Sequence, residues 1–294
     1  MRLDNNQNGV FERMIKKITG KALIHTMLII TSLLSVFPFI WLTSTSLKGI
    51  NEDIFAYPPK FVPSDFTFQN YIDVWGKVDF MGYFWNSVIV AALTVILNLI
   101  LSSLAAYPLA RMKFRGKKFV FFAILATIMI PFQAIMLPVY IITLKLHLID
   151  SVNNVMGYIG LVMPFAVSAF GIFLMRQAFL KVPKEVEEAA ITDGCNVFQM
   201  FLKVVIPMVK PTLAVLAVFT FIGSWGEFLW PSIMLTKESM YTLPVGINNL
   251  QGMFSANWRF IASGSIISTI PIIVFFLMMQ RYFISGENDG AVKG

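Results

Sequence analysis

The chain has 294 residues, of which 57% are hydrophobic and 13% are charged, and its formal net charge is +7 at pH 7. Soluble globular domains average about 25% charged residues, so this composition argues against an ordinary soluble domain. A single cysteine excludes an internal disulfide and a cysteine-rich metal site. The basic residues form no compact module with interleaved aromatics, so we expect no nucleic-acid partner.

Long apolar runs dominate the sequence. About 20 apolar residues cross the roughly 30 Å hydrocarbon core of a bilayer as a helix, whereas buried strands would be shorter and flanked by turns. The chain therefore predicts an all-α integral membrane protein with six transmembrane helices, over about residues 22–47, 81–110, 119–144, 151–175, 211–235 and 260–280. The transmembrane domain would cover residues 22–281, with an N-terminal arm at 1–21 and a C-terminal tail at 282–294.

The distribution of Lys and Arg predicts the orientation of these helices. Of the 23 basic residues, 17 fall in the two terminal segments and in the links after the second and fourth spans. Cytoplasmic loops carry an excess of Lys and Arg, so both termini are expected in the cytoplasm. The segment at residues 183–207, between the fourth and fifth spans, would then also be cytoplasmic.

Catalytic motifs are missing from the sequence. It contains no G-x-x-x-x-G-K-[ST] phosphate loop, no H-E-x-x-H pattern and no set of nucleophile, histidine and acid. We expect a non-catalytic chain with no cofactor or metal of its own. Transport driven by ATP would need an ATPase on another polypeptide.

The segment at residues 183–207 is unusually polar for this chain, and it contains EEAAITDGCNVFQMFLKVVIP. Pro183 suits the first helical position, Gly194 suits a left-handed helix end, and Asn196 with Gln199 is typical of a capping box. The pattern predicts two short helices joined at the glycine. They could form an amphipathic loop on the membrane, or a knob of small residues that enters a partner's cleft and offers a carboxylate to a partner's Arg.

This segment resembles the EAA loop of ABC importer permeases, whose general form is E-A-A-x3-G-x9-I-x-L-P. Val204 and Ile206 replace the Ile and Leu of that form. The matching residues, with an aspartate that sugar permeases often share, are Glu188, Ala189, Ala190, Asp193, Gly194 and Pro207. The terminal GAVKG at 290–294 and GSWGEFLWP at 223–231 resemble the second permease of maltose-type sugar importers.

The resemblance implies the fold of a type I ABC importer permease and a function in binding-protein-dependent import of oligosaccharides across a bacterial cytoplasmic membrane. The EAA loop would dock on the ATPase. The implied partners are a second homologous permease, two ATPase subunits that bind ATP and Mg, and an extracytoplasmic sugar-binding protein. An EAA permease for another solute, such as a peptide or polyamine, and a stand-alone channel or carrier are the alternatives.

Three residues are candidates for the solute path. Glu227 lies about 24 Å along the fifth span from Pro211, and a carboxylate facing lipid near the bilayer centre costs about 2.5–3.5 kcal/mol. It is therefore expected to face a cavity or a partner, unless it lies at headgroup level. Trp225 could stack on a sugar ring. Asn86 is a polar candidate near the outer end of the second span, with a purely structural role as the alternative.

Overall fold

The computed structural model describes residues 4–149, 154–253 and 257–288, and within these ranges it contains no β-strand. A π-helical stretch at Phe201–Val205 and 3-10 turns at Met163–Phe165 and Glu238–Met240 supplement the α-helices. The tail motif at 290–294 lies outside the described residues. The helices are α1 (Asp4–Ser46), α2 (Gln69–Lys77), α3 (Phe80–Arg111), α4 (Lys117–Thr127), α5 (Phe132–Lys145), α6 (Asn154–Val162), α7 (Ala169–Lys181), α8 (Lys184–Thr192), α9 (Val197–Met200), α10 (Ile206–Met208), α11 (Lys210–Trp225), α12 (Leu229–Met234), α13 (Leu243–Met253) and α14 (Trp258–Asn288).

Three of these helices are long and apolar enough to cross a membrane unbroken: Lys21–Ser46 within α1, the whole of α3, and Trp258–Tyr282 within α14. Three bent pairs of helices bring the number of candidate spans among the described residues to as many as six. The all-α membrane fold predicted from the sequence is therefore confirmed. The helices run further than expected at both ends, because α1 begins at Asp4 and α14 continues to Asn288.

The third and fourth predicted spans are not continuous helices. Between α4 and α5 the chain bends by 97°. Pro131 begins α5 in an extended conformation, whereas Pro138 lies inside α5 without ending it. Between the Met163–Phe165 turn and α7 the bend is 58°. Here Ser168 caps α7 by accepting the backbone N–H of Gly171. The break thus supplies an acceptor for an N–H group that the start of a helix leaves without a partner.

The fifth predicted span, residues 211–235, is also divided. Helix α11 ends at Trp225, Gly226 follows as its C-cap, and α12 begins at Leu229. Glycine loses more conformational freedom in a helix than any other residue, which favours an end at this point. At its start, α11 lies at 79° to the helical run Val197–Met208.

The described residues form two compact units, and the first comprises residues 4–73 and 257–266. Its long helix is exposed and apolar on every side from Leu23 to Phe39, as expected for a helix that faces lipid or another subunit. The loop after α1 is held by buried polar groups. The Nζ of Lys48 donates to the Lys60 carbonyl at 2.7 Å and lies 3.8 Å from Glu52 Oε1.

Glu52 organises this loop through its second carboxylate oxygen, which accepts the backbone N–H groups of Ser64 at 2.9 Å and Asp65 at 3.0 Å. Burial by itself raises the pKa of Glu52, but these backbone hydrogen bonds and the charge of Lys48 outweigh it, so the pKa is lowered overall. The guanidinium of Arg259 donates to the carbonyls of Ile50 and Glu52. The loop is thus an ordered element built around ionised groups.

The described part of the second unit comprises residues 74–149, 154–253 and 267–288, and α3 is its central helix. Helices α7 and α11 pack against α3. Helices α3 and α7 are in close contact at Gly171. A Cβ added there would lie only 2.6 Å from Ser102 Oγ and 2.9 Å from Asn98 Oδ1. Buried polar side chains run along α3, namely Asn86, Ser87, Thr94, Asn98, Ser102 and Ser103. Small and polar residues of this kind are typical of interfaces between membrane helices.

Candidate functional site

The segment predicted as two short helices forms a helical hairpin, residues 183–207. Pro183 is the N-cap of α8, one position earlier than expected, and Gly194 adopts φ +83° just beyond its end. The N–H of Cys195 donates to the Ala190 carbonyl and that of Gly194 to the Ile191 carbonyl, each at 3.0 Å. This pair of bonds is a Schellman motif, which needs a residue that tolerates positive φ.

The second half of the hairpin starts with the predicted capping box. Asn196 accepts the Gln199 N–H at 2.8 Å, and the Gln199 side chain accepts the Asn196 N–H at 3.1 Å. Helix α9 then continues through the π-helical Phe201–Val205 into α10. The sequence pattern did not predict the π-helical stretch. Such stretches are frequent at functional sites.

The outer side of the hairpin is exposed and largely apolar. Phe198 is 62% exposed, and Ile191, Val197 and Leu202 are also exposed. Of the residues that match the EAA motif, five are exposed and Ala190 is buried. The exposed five are Glu188, Ala189, Asp193, Gly194 and Pro207. An apolar surface of this kind, rimmed by carboxylates, is typical of a docking site.

The inner side of the hairpin belongs to the protein core. Ala190, Phe201 and Val205 are buried in one apolar cluster with residues of α3 and α7. The ring of Phe201 lies 5.0 Å from that of Tyr107 and 6.1 Å from that of Phe179. Because large aromatic side chains lock these contacts, the hairpin is a fixed extension of the helix bundle.

Arg111, the last residue of α3, joins that helix to the hairpin. Its guanidinium donates to the carbonyl of Val182, and its Nε lies 2.9 Å from Oε1 of Glu187. Sequence reasoning missed this ion pair and used Arg111 only to infer orientation. Sequence separation concealed it, because the two partners lie far apart along the chain. Two local features of the sequence point to the pair: a basic residue, Arg111, ends the apolar helix α3, and the first turn of α8 is acidic.

A cavity of about 520 Å³ lies within the second unit, among α3, α11 and the bends that interrupt the third and fourth predicted spans. Its wall combines aromatic and aliphatic side chains with hydroxyl and amide groups. Among the lining residues that the structure describes, Glu227 has the one ionisable side chain. The polar lining residues are Thr94, Asn98, Thr127, Ser168, Thr220, Ser224 and Glu227. Apolar cavities with a few convergent polar groups are the usual form of small-molecule sites.

Glu227 has two roles in this geometry. Its Oε1 accepts the backbone N–H of Trp230 at 3.0 Å, which satisfies a donor at the start of α12. The residue also lines the cavity and is partly exposed. The carboxylate therefore faces a cavity, one of the two environments expected for it, while serving as a helix cap.

The other two path candidates are engaged in packing. Trp225 is 2% exposed, its Nε1 donates to the Ser268 carbonyl at 3.0 Å, and its ring packs on Phe221 and Phe84. This differs from the expectation of an indole open to a solute. The Asn86 amide donates to the carbonyls of Ser239 and Tyr241 and accepts the hydroxyl of Tyr158. These bonds fit the structural alternative for Asn86.

The spans, the hairpin and the cavity define a multi-pass membrane permease. Comparison with known proteins agrees, because residues 98–286 match the family described as "Binding-protein-dependent transport system inner membrane component". The chain belongs to this family of ABC transporter permeases. Members are non-catalytic components, and a separate subunit hydrolyses ATP.

Named relatives and solved structures cover nearly the whole chain. It is 36% identical over 272 residues to "Arabinooligosaccharides transport system permease protein AraQ" of Bacillus subtilis (strain 168), spanning 90% of this chain and 92% of the relative. It is 31% identical over 269 residues to "Lactose transport system permease protein LacG" of Rhizobium radiobacter, spanning 92% and 95%.

A bacterial ABC transporter that imports the acidic polysaccharide alginate contains a similar chain, at 26% identity and a TM-score of 0.76 over 91% of this chain and 97% of that one. A second solved structure, an alginate transporter in complex with a pentasaccharide-bound periplasmic protein, matches at 15% identity and a TM-score of 0.65 over 91% and 96%. The second likeness concerns the fold alone.

Proposed function

We propose that this chain is one of two permease subunits of an ATP-driven, binding-protein-dependent importer of oligosaccharides in a bacterial cytoplasmic membrane. Names of relatives support the solute class, since similar chains belong to systems for arabinooligosaccharides, lactose, diacetylchitobiose and trehalose. An alginate importer with a similar chain also supports it. In this arrangement both termini and the hairpin are cytoplasmic.

The hairpin is proposed to couple the chain to the ATPase, and its two-sided construction is the observation that carries this proposal. Its outer side exposes apolar groups and small residues that fit a cleft, and its inner side is fixed in the core. Glu188 and Asp193 are exposed and can meet a basic residue of the ATPase. Movement of the docked surface would therefore move the helix bundle as a body.

Stoichiometry follows from this coupling. Two ATPase subunits close on ATP and Mg, and each needs a docking helix, whereas this chain supplies one EAA loop. A second homologous permease supplies the other, and the solute path runs between the two. An extracytoplasmic sugar-binding protein delivers the solute to the loops at residues 48–80 and 236–259.

The cavity is proposed to form this chain's part of the solute path. The hydroxyl groups of Thr127, Thr220 and Ser224 can exchange hydrogen bonds with sugar hydroxyls, and Phe170 and Phe219 offer apolar surface to ring faces. Glu227 adds an acceptor on the same wall. Trp225 follows Ser224 of this wall in α11 and packs on Phe221.

Reconstitution of the complete complex in lipid tests the proposal. Binding protein loaded with an arabinose-, galactose- or glucose-containing oligosaccharide is expected to stimulate ATP hydrolysis and uptake of one of these solutes. Crosslinks from residues 188–198 are expected to reach the ATPase. Uptake by the purified chain alone, or stimulation by peptide or polyamine systems instead of sugars, would contradict the proposal.

A further inference from the structure

We propose that Arg111 is a positioning residue that locks the hairpin to α3 and thereby transmits hairpin movement to the wall of the cavity. The inference rests on the coupling function proposed above and names the residue that connects the hairpin to α3. The residue touches neither the proposed solute path nor the exposed outer side of the hairpin.

Arg111 holds the hairpin at two points. Its Nη2 donates to the carbonyl of Val182, the residue just before the N-cap of α8, and its Nε contacts Glu187 in the first turn of that helix. Two contacts about one turn apart fix both the position and the rotation of a helix. A planar guanidinium presents donors in a rigid fork and suits this geometry, whereas a lysine ammonium is a single point charge.

Because this ion pair is buried, it is expected to contribute little net free energy to folding. The side chains of Arg111 and Glu187 are only 9% and 14% exposed. Nε and Oε1 approach to 2.9 Å without the alignment of a hydrogen bond, so charge holds this contact. Desolvating two ions costs several kcal/mol each, and apolar replacements of such pairs are often equally stable. A buried pair is better suited to specifying one arrangement of two helices, and that is the role inferred for Arg111.

Two other cations near this end of α3, Lys117 and Arg176, bind backbone carbonyls of that helix end. Lys117 Nζ donates to the carbonyls of Ala110 and Met112, and Arg176 Nε donates to the carbonyl of Leu109. These contacts satisfy carbonyls that a helix C-terminus leaves without partners. With that task divided between Lys117 and Arg176, the guanidinium of Arg111 engages the hairpin.

Helix α3 connects this joint to the cavity. It is continuous from Phe80 to Arg111, and Thr94 and Asn98 line the cavity from the same helix. Asn98 lies about 20 Å from Arg111 along the helix axis. The Asn98 side chain also donates to the Phe165 carbonyl and accepts the hydroxyls of Ser102 and Ser168, beside the bend before α7. A displacement of α3 at Arg111 would therefore also move the polar cluster around Asn98 in the cavity wall.

The test measures ATP hydrolysed per solute imported, with the complete complex in lipid. Arg111→Lys and Glu187→Gln are expected to raise this ratio about fivefold or more, the low end of typical coupling effects. Arg115→Gln, in the loop after α3, and Glu185→Gln, in α8, change exposed residues and serve as matched controls. Both are expected to keep the wild-type ratio. Arg111→Glu combined with Glu187→Arg is expected to give a lower ratio than Arg111→Glu alone.

A wild-type ratio in both Arg111→Lys and Glu187→Gln would overturn the proposal. Parallel loss of hydrolysis and uptake at a constant ratio would also overturn it, because that pattern indicates a purely structural residue. If the Arg111 variants do not assemble, Glu187→Gln decides, since it retains the shape of the side chain and the backbone contact to Val182. Failure of the wild-type complex to bind an ATPase would instead overturn the coupling function itself, and this proposal with it.

Discussion

The hairpin and the cavity depart from the usual distribution of polarity in opposite ways. In the hairpin, apolar side chains such as Phe198 are exposed on a segment that the sequence places outside the bilayer. In the cavity, polar side chains such as Asn98 line the interior of a bundle that is otherwise apolar. Natural sequences break local rules mainly where function requires it. Each departure therefore marks a surface for which we propose a contact, with the ATPase at the hairpin and with the solute at the cavity.

Removing the hairpin's exposed aromatic ring gives the largest expected effect. Phe198→Ala should weaken binding of the ATPase by about 30-fold, equivalent to about 2 kcal/mol, because a buried aromatic anchor is a typical hot spot of an interface. The measurement is a titration of the ATPase onto the detergent-purified permease complex. Lys203→Ala, an exposed position in the same helical run, is the control. Unchanged affinity in Phe198→Ala would contradict an ATPase contact at this ring.

The cavity wall can be disturbed by adding one methyl group. Gly171→Ala places a Cβ within 2.6–2.9 Å of the Ser102, Ser168 and Asn98 side-chain oxygens, so either these side chains give up their present contacts or α3 and α7 move apart. Overpacking of this kind costs about 1–3 kcal/mol, and the midpoint of thermal unfolding in detergent should fall. Gly223→Ala is the matched control, because an added Cβ there meets no atom within 4 Å. Equal midpoints for the two variants would refute a tight polar contact at Gly171.

The turn of the hairpin separates backbone effects from contact effects. Gly194→Val should cost about 1–2 kcal/mol, because its φ of +83° is strained for an L side chain. Gly194→Asn should be milder, since asparagine tolerates the left-handed region. Both variants are compared by thermal unfolding and by uptake. If Asn and Val reduce uptake equally and leave the unfolding midpoint unchanged, space for the partner is the limiting factor and the backbone is not.

Glu227 gives the smallest expected effect and tests whether its carboxylate is needed as a cap. Glu227→Ala removes the acceptor for the Trp230 N–H and should lower stability by about 1 kcal/mol. Glu227→Gln keeps an acceptor oxygen and should change stability by less than about 0.5 kcal/mol. Thermal unfolding provides the measurement. A loss of uptake in Glu227→Gln at unchanged stability would assign the charge to the solute path.

Features set by neighbouring residues were predictable from the sequence. The left-handed Gly194 and the capping box of Asn196 and Gln199 depend on contacts within a few positions, and both were confirmed. The apolar runs likewise predicted a helical membrane protein, because lipid requires each spanning segment to satisfy its own backbone. The family resemblance, carried by short motifs, was also confirmed.

Features set by distant pairings were not predictable. The contact of Arg111 with Glu187 and the hydrogen bonds of Asn98 join helices far apart in sequence. Pro131 stands at the break after α4, but Pro138 lies inside an unbroken helix, so the prolines alone do not locate the break. The cavity depends on such breaks, so its wall could not be inferred from composition. Trp225 shows the same limit, because a tryptophan near a span end can face solvent or a packed interior.

The lone thiol of the chain has a practical consequence. Cys195 follows Gly194 in the hairpin turn and is partly exposed. A fluorophore or nitroxide attached there would report from that turn in the unmodified sequence, with no second thiol in the chain to remove. Energy transfer between a fluorophore at Cys195 and an acceptor on the proposed ATPase subunit would follow the approach of that subunit to the turn in real time, through successive cycles of ATP hydrolysis.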